Sequence, residues 1–530
     1  MKKLIQEDRK LQLLLVIALI IQTLTCITAI GFYHPDQHFQ VIEYSSMQLK
    51  NQSAATQVWE LGAHIRPTLQ VYLFSAWYIA VKFIGIADPY MQLMILRIIL
   101  GLTMLGLYNA ICIWYFRTFP KTVLYAVLLI LNFSWFLPYS RTLYSSEMLS
   151  SLFFFGAIFL YDWRKTSMRM VPLALLTGFL FSLAFYFRFQ MGFAIAGFLC
   201  WMLRFDREPI GPLAAGLPKP FIPLAVGFRK SIVPLAGGLR KSIGPLAAGF
   251  LIGVVLNTSL DYWFYHEWVI TPLNYFRENI TNGKAAEMGT ASFLMYIGVL
   301  AALVVTPPLS LILLYTGVKG SLKMFRSPFV LPVLFFIVGH CLVGHKEERF
   351  LFPILNILPL LIGWGIPGLI EYYQRSKSWM KYLLNTCLVI SLCLNTFLLV
   401  TLVFTPYSQA IYFTYLLQKQ FNNHLVRIYS IKQSPFETEN GLQLVFYSKS
   451  IKNIEIIKIP AIDSLLALKG RDMYIAATYN HTTDEEKKLL DQLGYKPVTY
   501  ASELLWNINV FLHSRHINTI NDIWLLYKKE

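Results

Sequence analysis

Two short strings of residues have the types and spacing for chemistry. In Gly31-Phe-Tyr-His-Pro-Asp-Gln-His-Phe-Gln-Val-Ile-Glu-Tyr44, Asp36 follows a proline that ends an apolar run, and Glu43 comes two helical turns later. A carboxylate partly withdrawn from water at such a place is suited to taking a proton from a hydroxyl, which makes Asp36 and Glu43 the candidate general bases. The plainer alternative is a solvated loop acid. His34, Asp36 and His38 also have the types of metal ligands, but no second ligand cluster accompanies them and no metal is expected.

The second string is His345-Lys-Glu-Glu-Arg-Phe-Leu-Phe-Pro353, between two apolar runs. His345, Lys346 and Arg349, with carboxylates beside them to orient them, suit a phosphate or diphosphate group. The alternative is a set of basic side chains reaching the membrane surface. Arg141, in Ser140-Arg-Thr-Leu-Tyr-Ser-Ser-Glu147, and Arg188, in Tyr186-Phe-Arg188, stand at ends of apolar runs and are candidate helpers for the same anion. Trp59-Glu-Leu-Gly-Ala-His-Ile-Arg-Pro67 and Asp261-Tyr-Trp-Phe-Tyr-His-Glu-Trp268 mix aromatics with acids, as an interfacial aromatic belt or a sugar-stacking surface would.

The elements that must position these residues are membrane helices. Of 530 residues, 56% are hydrophobic and only 14% charged, against about 25% in soluble proteins. Mean hydropathy is +0.51. Apolar runs predict spans at 11–30, 68–86, 92–116, 121–138, 146–162, 171–187, 189–203, 245–262, 292–317, 328–344, 350–368 and 382–404, about 11 to 12 transmembrane segments. The first reads as a retained anchor, because a cleavable signal has a shorter apolar core. Lys- and Arg-rich loops at 164–169, 204–241, 319–326 and 375–381 are expected in the cytoplasm. That leaves 141–147, Arg188, 263–291, 345–349 and everything after 405 on the other side. Counting instead from a cytoplasmic N-terminus conflicts with this between 68 and 138, so one segment there is expected to be re-entrant or fused with its neighbour.

The net charge of +17 is the usual consequence of that loop asymmetry, and no nucleic-acid-binding motif accompanies it. Six cysteines show neither a CxxC pair nor a zinc spacing. Pro-Leu-Ala recurs every 11 residues at Pro212, Pro223, Pro234 and Pro245, and this reads as a tandem insertion, 212–249, in a cytoplasmic loop. A proline in every period opposes continuous helix. After 404 the pattern turns polar, with strands expected at 442–447, 473–479, 497–501 and 523–527 and an amphipathic helix at 483–493. The expected organisation is therefore a transmembrane domain over 1–404, with a first outer loop at 31–67, and a small α/β domain over 405–530 outside the membrane.

Taken together, His34-Pro-Asp-Gln37 with Phe39, Gln40 and Glu43, Trp59-Glu60, Arg66-Pro67, Ser140-Arg-Thr-Leu143, the Asp261 stretch and above all His345-Lys-Glu-x-Arg-Phe350 resemble glycosyltransferase family 22. That family holds the mannosyltransferases of N-glycan and GPI-anchor assembly and bacterial relatives, and the resemblance runs from about residue 31 to 360, nearest to the GPI mannosyltransferase 3 type. It implies an all-α polytopic GT-C fold and an α-mannosyltransferase that uses a dolichyl- or polyprenyl-phosphate donor and a glycolipid or lipid-linked glycan acceptor, with inversion. It implies no nucleotide or redox cofactor. By the same resemblance Asp36 and Glu43 are the catalytic acids, and His34, Gln37, Trp59, Glu60, Arg66 and Asp261 contact substrate. His345, Lys346, Arg349, Arg141 and Arg188 hold the donor phosphate. The membrane implied is the bacterial inner membrane or the endoplasmic reticulum, with the site facing the periplasm or lumen. One departure is Gln37, where the family usually has a second acid. A lipid-glycan flippase or a GT-C scaffold without activity are the alternative readings; the first often carries internal pseudo-symmetry, which this chain lacks.

Overall fold

The computed structural model describes residues 2–49, 58–164, 170–205, 235–422, 424–438, 440–467, 473–478, 482–514 and 523–529. It is mostly helical, with several apolar helices and a small C-terminal sheet, as expected of an integral multi-pass membrane protein. Among the described residues, five helices are long and apolar enough to cross a membrane: Arg9–Thr28, Pro89–Phe116, Met170–Phe187, Ser242–Tyr265 and Ser378–Val403. Shorter apolar helices accompany them, among them Leu69–Phe83, Lys121–Phe133 and Val330–Leu342. The chain divides into two compact units, Met1–Cys26, Ala63–Gln70 and Arg97–Phe404 in the first, and Ile27–Gly62, Val71–Leu96 and Thr405–Glu530 in the second. Besides residues 405–530, the second unit thus takes in part of the first outer loop and the segment 71–96.

In the first unit the tightest helix crossings are made by glycines. A Cβ on Gly178 would lie 1.9 Å from Leu246 O, and one on Gly249 would lie 1.9 Å from Leu175 O. Small residues let backbones meet where lipid tails supply no hydrophobic drive of their own. Gly249 is the glycine of the last 11-residue period. That period is helical, and Pro245 sits inside Leu235–Tyr265, contrary to the expectation that proline would interrupt it. Membrane helices tolerate proline where neighbouring groups satisfy the freed carbonyl. The earlier periods fall mostly on residues 206–234, outside the described residues, as do residues 165–169 of the first cytoplasmic loop.

Two expected spans are broken. The run 292–317 forms Leu294–Leu303 and Leu309–Lys323, with Thr306-Pro307-Pro308 between them, because consecutive prolines remove two donors. Ser391 holds the break: its carbonyl accepts from Thr306 Oγ1 at 2.8 Å and its hydroxyl accepts from Leu309 N–H at 3.0 Å. The run 350–368 is bent by 66° between Glu348–Leu355 and Leu358–Arg375. Lys121–Phe133, with 13 residues, extends about 20 Å, short of the hydrocarbon thickness. Its end is plugged by Asn395, which accepts from Trp135 N–H at 3.0 Å and donates to Phe133 O at 2.7 Å.

The second unit contains a five-stranded sheet of order β2-β1-β3-β5-β4. Its strands are β1 (Val426–Ile431), β2 (Ile454–Ile459), β3 (Tyr474–Thr478), β4 (Tyr495–Tyr500) and β5 (Trp524–Lys529). β1 runs parallel to β2 and β3, while β5 is antiparallel to β3 and β4. The strand expected at 442–447 is instead the helix Val445–Ser450, which buries Phe446 and Tyr447. The helix expected at 483–493 is Asp484–Gln492, opened by a capping box in which Thr483 and Glu486 satisfy each other's backbone N–H.

Candidate functional site

The first outer segment belongs to the second unit. Gly31 turns the chain out of its helix at φ +98°, and a Cβ there would meet Ser408 Cβ at 2.7 Å, so only glycine fits. Ile30 O accepts from Tyr407 N–H at 2.9 Å. His34 then caps a single helical turn, Pro35–Gln37, its Nδ1 accepting from Asp36 N–H at 3.2 Å. The Asp36 carboxylate is about one-third exposed, with Oδ2 3.6 Å from His34 Nδ1. Gln37 is nearly buried and its Oε1 accepts from Tyr33 N–H at 3.2 Å.

Beyond Gln37 the chain is a π-helix, His38–Glu43, which turns both end residues inward. Glu43 is fully buried; its Oε1 lies 2.8 Å from His38 Nε2 and accepts from Phe446 N–H at 3.0 Å. The His38 ring stacks against Phe32 at 5.1 Å and Tyr447 at 5.5 Å. The expectation of Glu43 as a second surface base is therefore corrected: a carboxylate with no exposure, tied to an imidazole and a backbone amide, fastens the first outer segment to the helix Val445–Ser450. Glu60 is nearly buried and accepts from Gln40 Nε2 at 2.8 Å, which ties the turn Trp59–Gly62 to the same segment. The neighbouring Trp59 is exposed.

In the first unit, Asp261 is buried. Its Oδ1 accepts from the N–H and the hydroxyl of Thr68, both at 2.8 Å, and its Oδ2 accepts from the Thr271 hydroxyl at 2.8 Å. The carboxylate is spent on holding two loops together, which corrects its assignment as a substrate contact. Arg66 lies two residues before Thr68; its carbonyl accepts from Tyr265 OH at 2.7 Å and its guanidinium lies 5.8 Å from the Tyr275 ring centroid.

Residues 345–350 do come together with Arg188. His345 spans Gly289 O through Nδ1 at 2.8 Å and Glu347 Oε1 through Nε2 at 2.9 Å. Arg349 Nε donates to Glu347 Oε2. Lys346 Nζ donates to Val343 O, just past the C-terminal end of Val330–Leu342, where a cation meets the negative end of the helix. Arg188 donates from NH1 to Glu147 Oε1 at 2.6 Å, both side chains buried, and its guanidinium lies 4.9 Å from the Phe350 ring centroid. Arg349 also lies within electrostatic reach of Glu147. Arg188 Nε and NH2 have no hydrogen-bond partner among the described residues.

Arg141 behaves differently. It is fully buried and donates from Nε to Asn356 Oδ1 at 2.7 Å, from NH2 to Leu131 O and from NH1 to Gln22 Oε1 at 3.4 Å. All three nitrogens are engaged by the protein, which corrects its assignment to the phosphate group: it pins the bend at Asn356. Three residues that sequence reasoning did not single out surround the Arg188 cluster, namely Glu147, Tyr296 and His340. Each is an ionisable group at or within an apolar run, a signal that was available in the sequence. Among the described residues no group of three or more His, Cys, Asp or Glu is arranged to hold a metal ion.

Residues 13–434 match the Alg9-like mannosyltransferase family. The chain belongs to this family. Within it, the chain is 29% identical to GPI mannosyltransferase 3 of Candida albicans over 135 residues, 26% of each chain. It is 27% identical to alpha-1,2-mannosyltransferase ALG9 of Arabidopsis thaliana over 148 residues, 26% of this chain and 24% of that one. These alignments span about a quarter of the relatives' length. Among solved structures, ArnT from Cupriavidus metallidurans bound to undecaprenyl phosphate aligns over 97% of both chains at 12% identity, with a TM-score of 0.46.

Proposed function

We propose that this chain is an integral-membrane mannosyltransferase that moves mannose from a polyprenyl- or dolichyl-phosphate donor to a hydroxyl of a glycolipid or lipid-linked glycan. Family membership supports the sugar and the reaction class. The observation that carries the reading is the basic cluster of buried Arg188 and half-buried His345 and Arg349 with Glu147 and Glu347, in which two Arg188 nitrogens have no hydrogen-bond partner among the described residues. A cluster of that kind, at helix ends of a membrane protein, suits a phosphate that is itself attached to lipid.

In the proposed reaction the acceptor oxygen attacks the anomeric carbon from the face opposite the phosphate and forms the new glycosidic bond. The bond from that carbon to the phosphate oxygen breaks, its electron pair leaves with the lipid phosphate, and the configuration inverts. Asp36 takes the hydroxyl proton, since its carboxylate is part-exposed. The leaving phosphate needs no protonation; the cations stabilise its developing charge. His34, Gln37, Trp59, Glu60 and Arg66 are the proposed contacts to sugar and acceptor. The proposed location is the periplasmic face of a bacterial inner membrane or the lumenal face of the endoplasmic reticulum.

The test uses purified chain with radiolabelled polyprenyl-phosphate mannose and a mixed glycolipid extract. Label should move into new glycolipid with wild type and fall by at least about 100-fold with Asp36→Asn, while donor binding persists. Strong residual turnover in Asp36→Asn removes that residue from the base role. A wild-type chain that does not bind the donor removes the donor assignment.

A further inference from the structure

Three buried polar groups from three separate helices and loops meet around Phe350. Arg188 follows the helix Met170–Phe187, Tyr296 lies in Leu294–Leu303, and His340 lies in Val330–Leu342. Tyr296 and His340 are each 2% exposed and Arg188 is 7% exposed. The His340 ring centroid is 6.4 Å from that of Tyr296 and 6.4 Å from that of Phe350, over which Arg188 also lies. Lys346 Nζ sits 5.6 Å from the Tyr296 ring centroid, and Arg188 is within electrostatic reach of both Tyr296 and His340.

Each of the three keeps at least one polar atom that the described residues do not satisfy. The Tyr296 hydroxyl, His340 Nε2, and Arg188 Nε and NH2 have no hydrogen-bond partner among the described residues. A single unpartnered buried polar atom is an ordinary defect, but several in one neighbourhood, one of them on a guanidinium, are costly unless a ligand completes them. The chemistry of the set is specific. Arg188 offers only donors and Tyr296 offers a hydroxyl donor, a pairing for phosphate oxygens. His340 Nδ1 lies 2.8 Å from Phe336 O. A carbonyl only accepts, so Nδ1 carries the hydrogen and the neutral ring presents Nε2 as a lone pair. Donors for an anion with an acceptor beside them suit a phosphate that carries a hydroxyl-bearing group.

We propose that Arg188, Tyr296 and His340 form the subsite for the junction between phosphate and sugar of the lipid-linked donor. Arg188 and Tyr296 bind phosphate oxygens, and His340 Nε2 accepts from a sugar hydroxyl. The inference rests on the donor reading above and adds Tyr296 and His340 to it. It makes the subsite selective for the sugar-bearing lipid over the spent lipid phosphate, which favours release of the product carrier.

The test measures binding of a short-chain polyprenyl phosphate and of its mannosyl ester to the full chain in lipid nanodiscs. Tyr296→Phe, which removes one oxygen atom, should weaken both ligands about tenfold or more. His340→Leu should leave polyprenyl phosphate within about twofold and weaken the mannosyl ester about tenfold, so that the ratio of the two affinities shifts. Tyr296→Phe with both affinities within twofold of wild type overturns the phosphate contact. An unchanged ratio in His340→Leu overturns the sugar contact; should that variant not fold, His340→Phe replaces it with the same readout. A wild-type chain that binds neither ligand overturns the donor reading itself, a result distinct from failure of the subsite.

Discussion

Arg141 and Arg188 stand in two regions of the same helical unit, each at the end of an apolar segment and each nearly or fully buried. Around Arg141 the protein supplies a side-chain amide, a backbone carbonyl and a second amide, so every nitrogen has a use within the fold. Around Arg188 it supplies one carboxylate and the face of a phenylalanine, and leaves two nitrogens without partners among the described residues. Burying a charge is costly in both places. The difference teaches that burial of a cation does not itself mark function; the fraction of its hydrogen bonds that the fold leaves unused does. The same contrast separates Glu43, whose carboxylate is consumed by His38 and Phe446 N–H, from the part-exposed Asp36 seven residues earlier.

The largest effect is expected from Arg141→Met. It strands Asn356 Oδ1 and Leu131 O in the interior, at about 1–3 kcal/mol each, so thermal unfolding in detergent should shift sharply downward. If the variant instead folds as wild type and loses only lipid-phosphate binding, the comparison is broken. Arg188→Met removes the partner of the buried Glu147, and a broken buried pair costs about 3–5 kcal/mol. It should therefore lose both stability and lipid-phosphate affinity.

Adding Glu147→Gln to Arg188→Met sharpens the comparison. The double variant should regain most of the lost stability, because no uncompensated charge remains, yet bind polyprenyl phosphate at least tenfold more weakly than wild type. Recovery of binding along with stability would make Arg188 as structural as Arg141.

The smallest effect is expected where a pair is only half-buried at the surface. Lys432 Nζ donates to Glu486 Oε2 at 2.9 Å in the C-terminal sheet domain. Burial pushes the Glu486 carboxyl up, but the bonds from Lys432 and Thr483 N–H outweigh it and hold the group below its ordinary value. A depressed carboxylate stabilises the fold above its unfolded pKa, and that contribution is lost as pH falls through the folded value. Lys432→Ala should thus cost about 0.5–1 kcal/mol at pH 7 and almost nothing near pH 3, read from the difference in unfolding midpoint at each pH. A cost that persists at pH 3 would show packing rather than charge to be the cause.

The C-terminal domain illustrates how far a sequence can be read. The helix Asp484–Gln492 was legible as an amphipathic run, a local pattern, and in the structure Thr483 and Glu486 open it with a capping box. The segment 442–447 was misread as a strand, because Leu442-Gln-Leu-Val-Phe-Tyr447 is a short run rich in apolar and aromatic residues. Phe446 and Tyr447 instead bury one helical face, and Phe446 N–H goes to Glu43, 403 positions away. At the candidate site, His345, Arg349 and Arg188 were legible as charges at the edges of apolar runs, whereas Tyr296 and His340 were hidden inside such runs.

By itself the sequence determined that most of this chain lies in lipid, where its apolar runs begin and end, and which charged residues stand at their edges. Those are local properties, set by hydropathy over about twenty residues and by proline and glycine within them. Only the tertiary structure decided which of those charges the fold consumes. The partners of Arg141, Asp261 and Glu43 come from as far as 215, 193 and 403 residues away, a separation over which composition and period carry no information. What remains unconsumed, on Arg188, Tyr296 and His340, is a property of packing alone, because a donor is left over only when every neighbour is known.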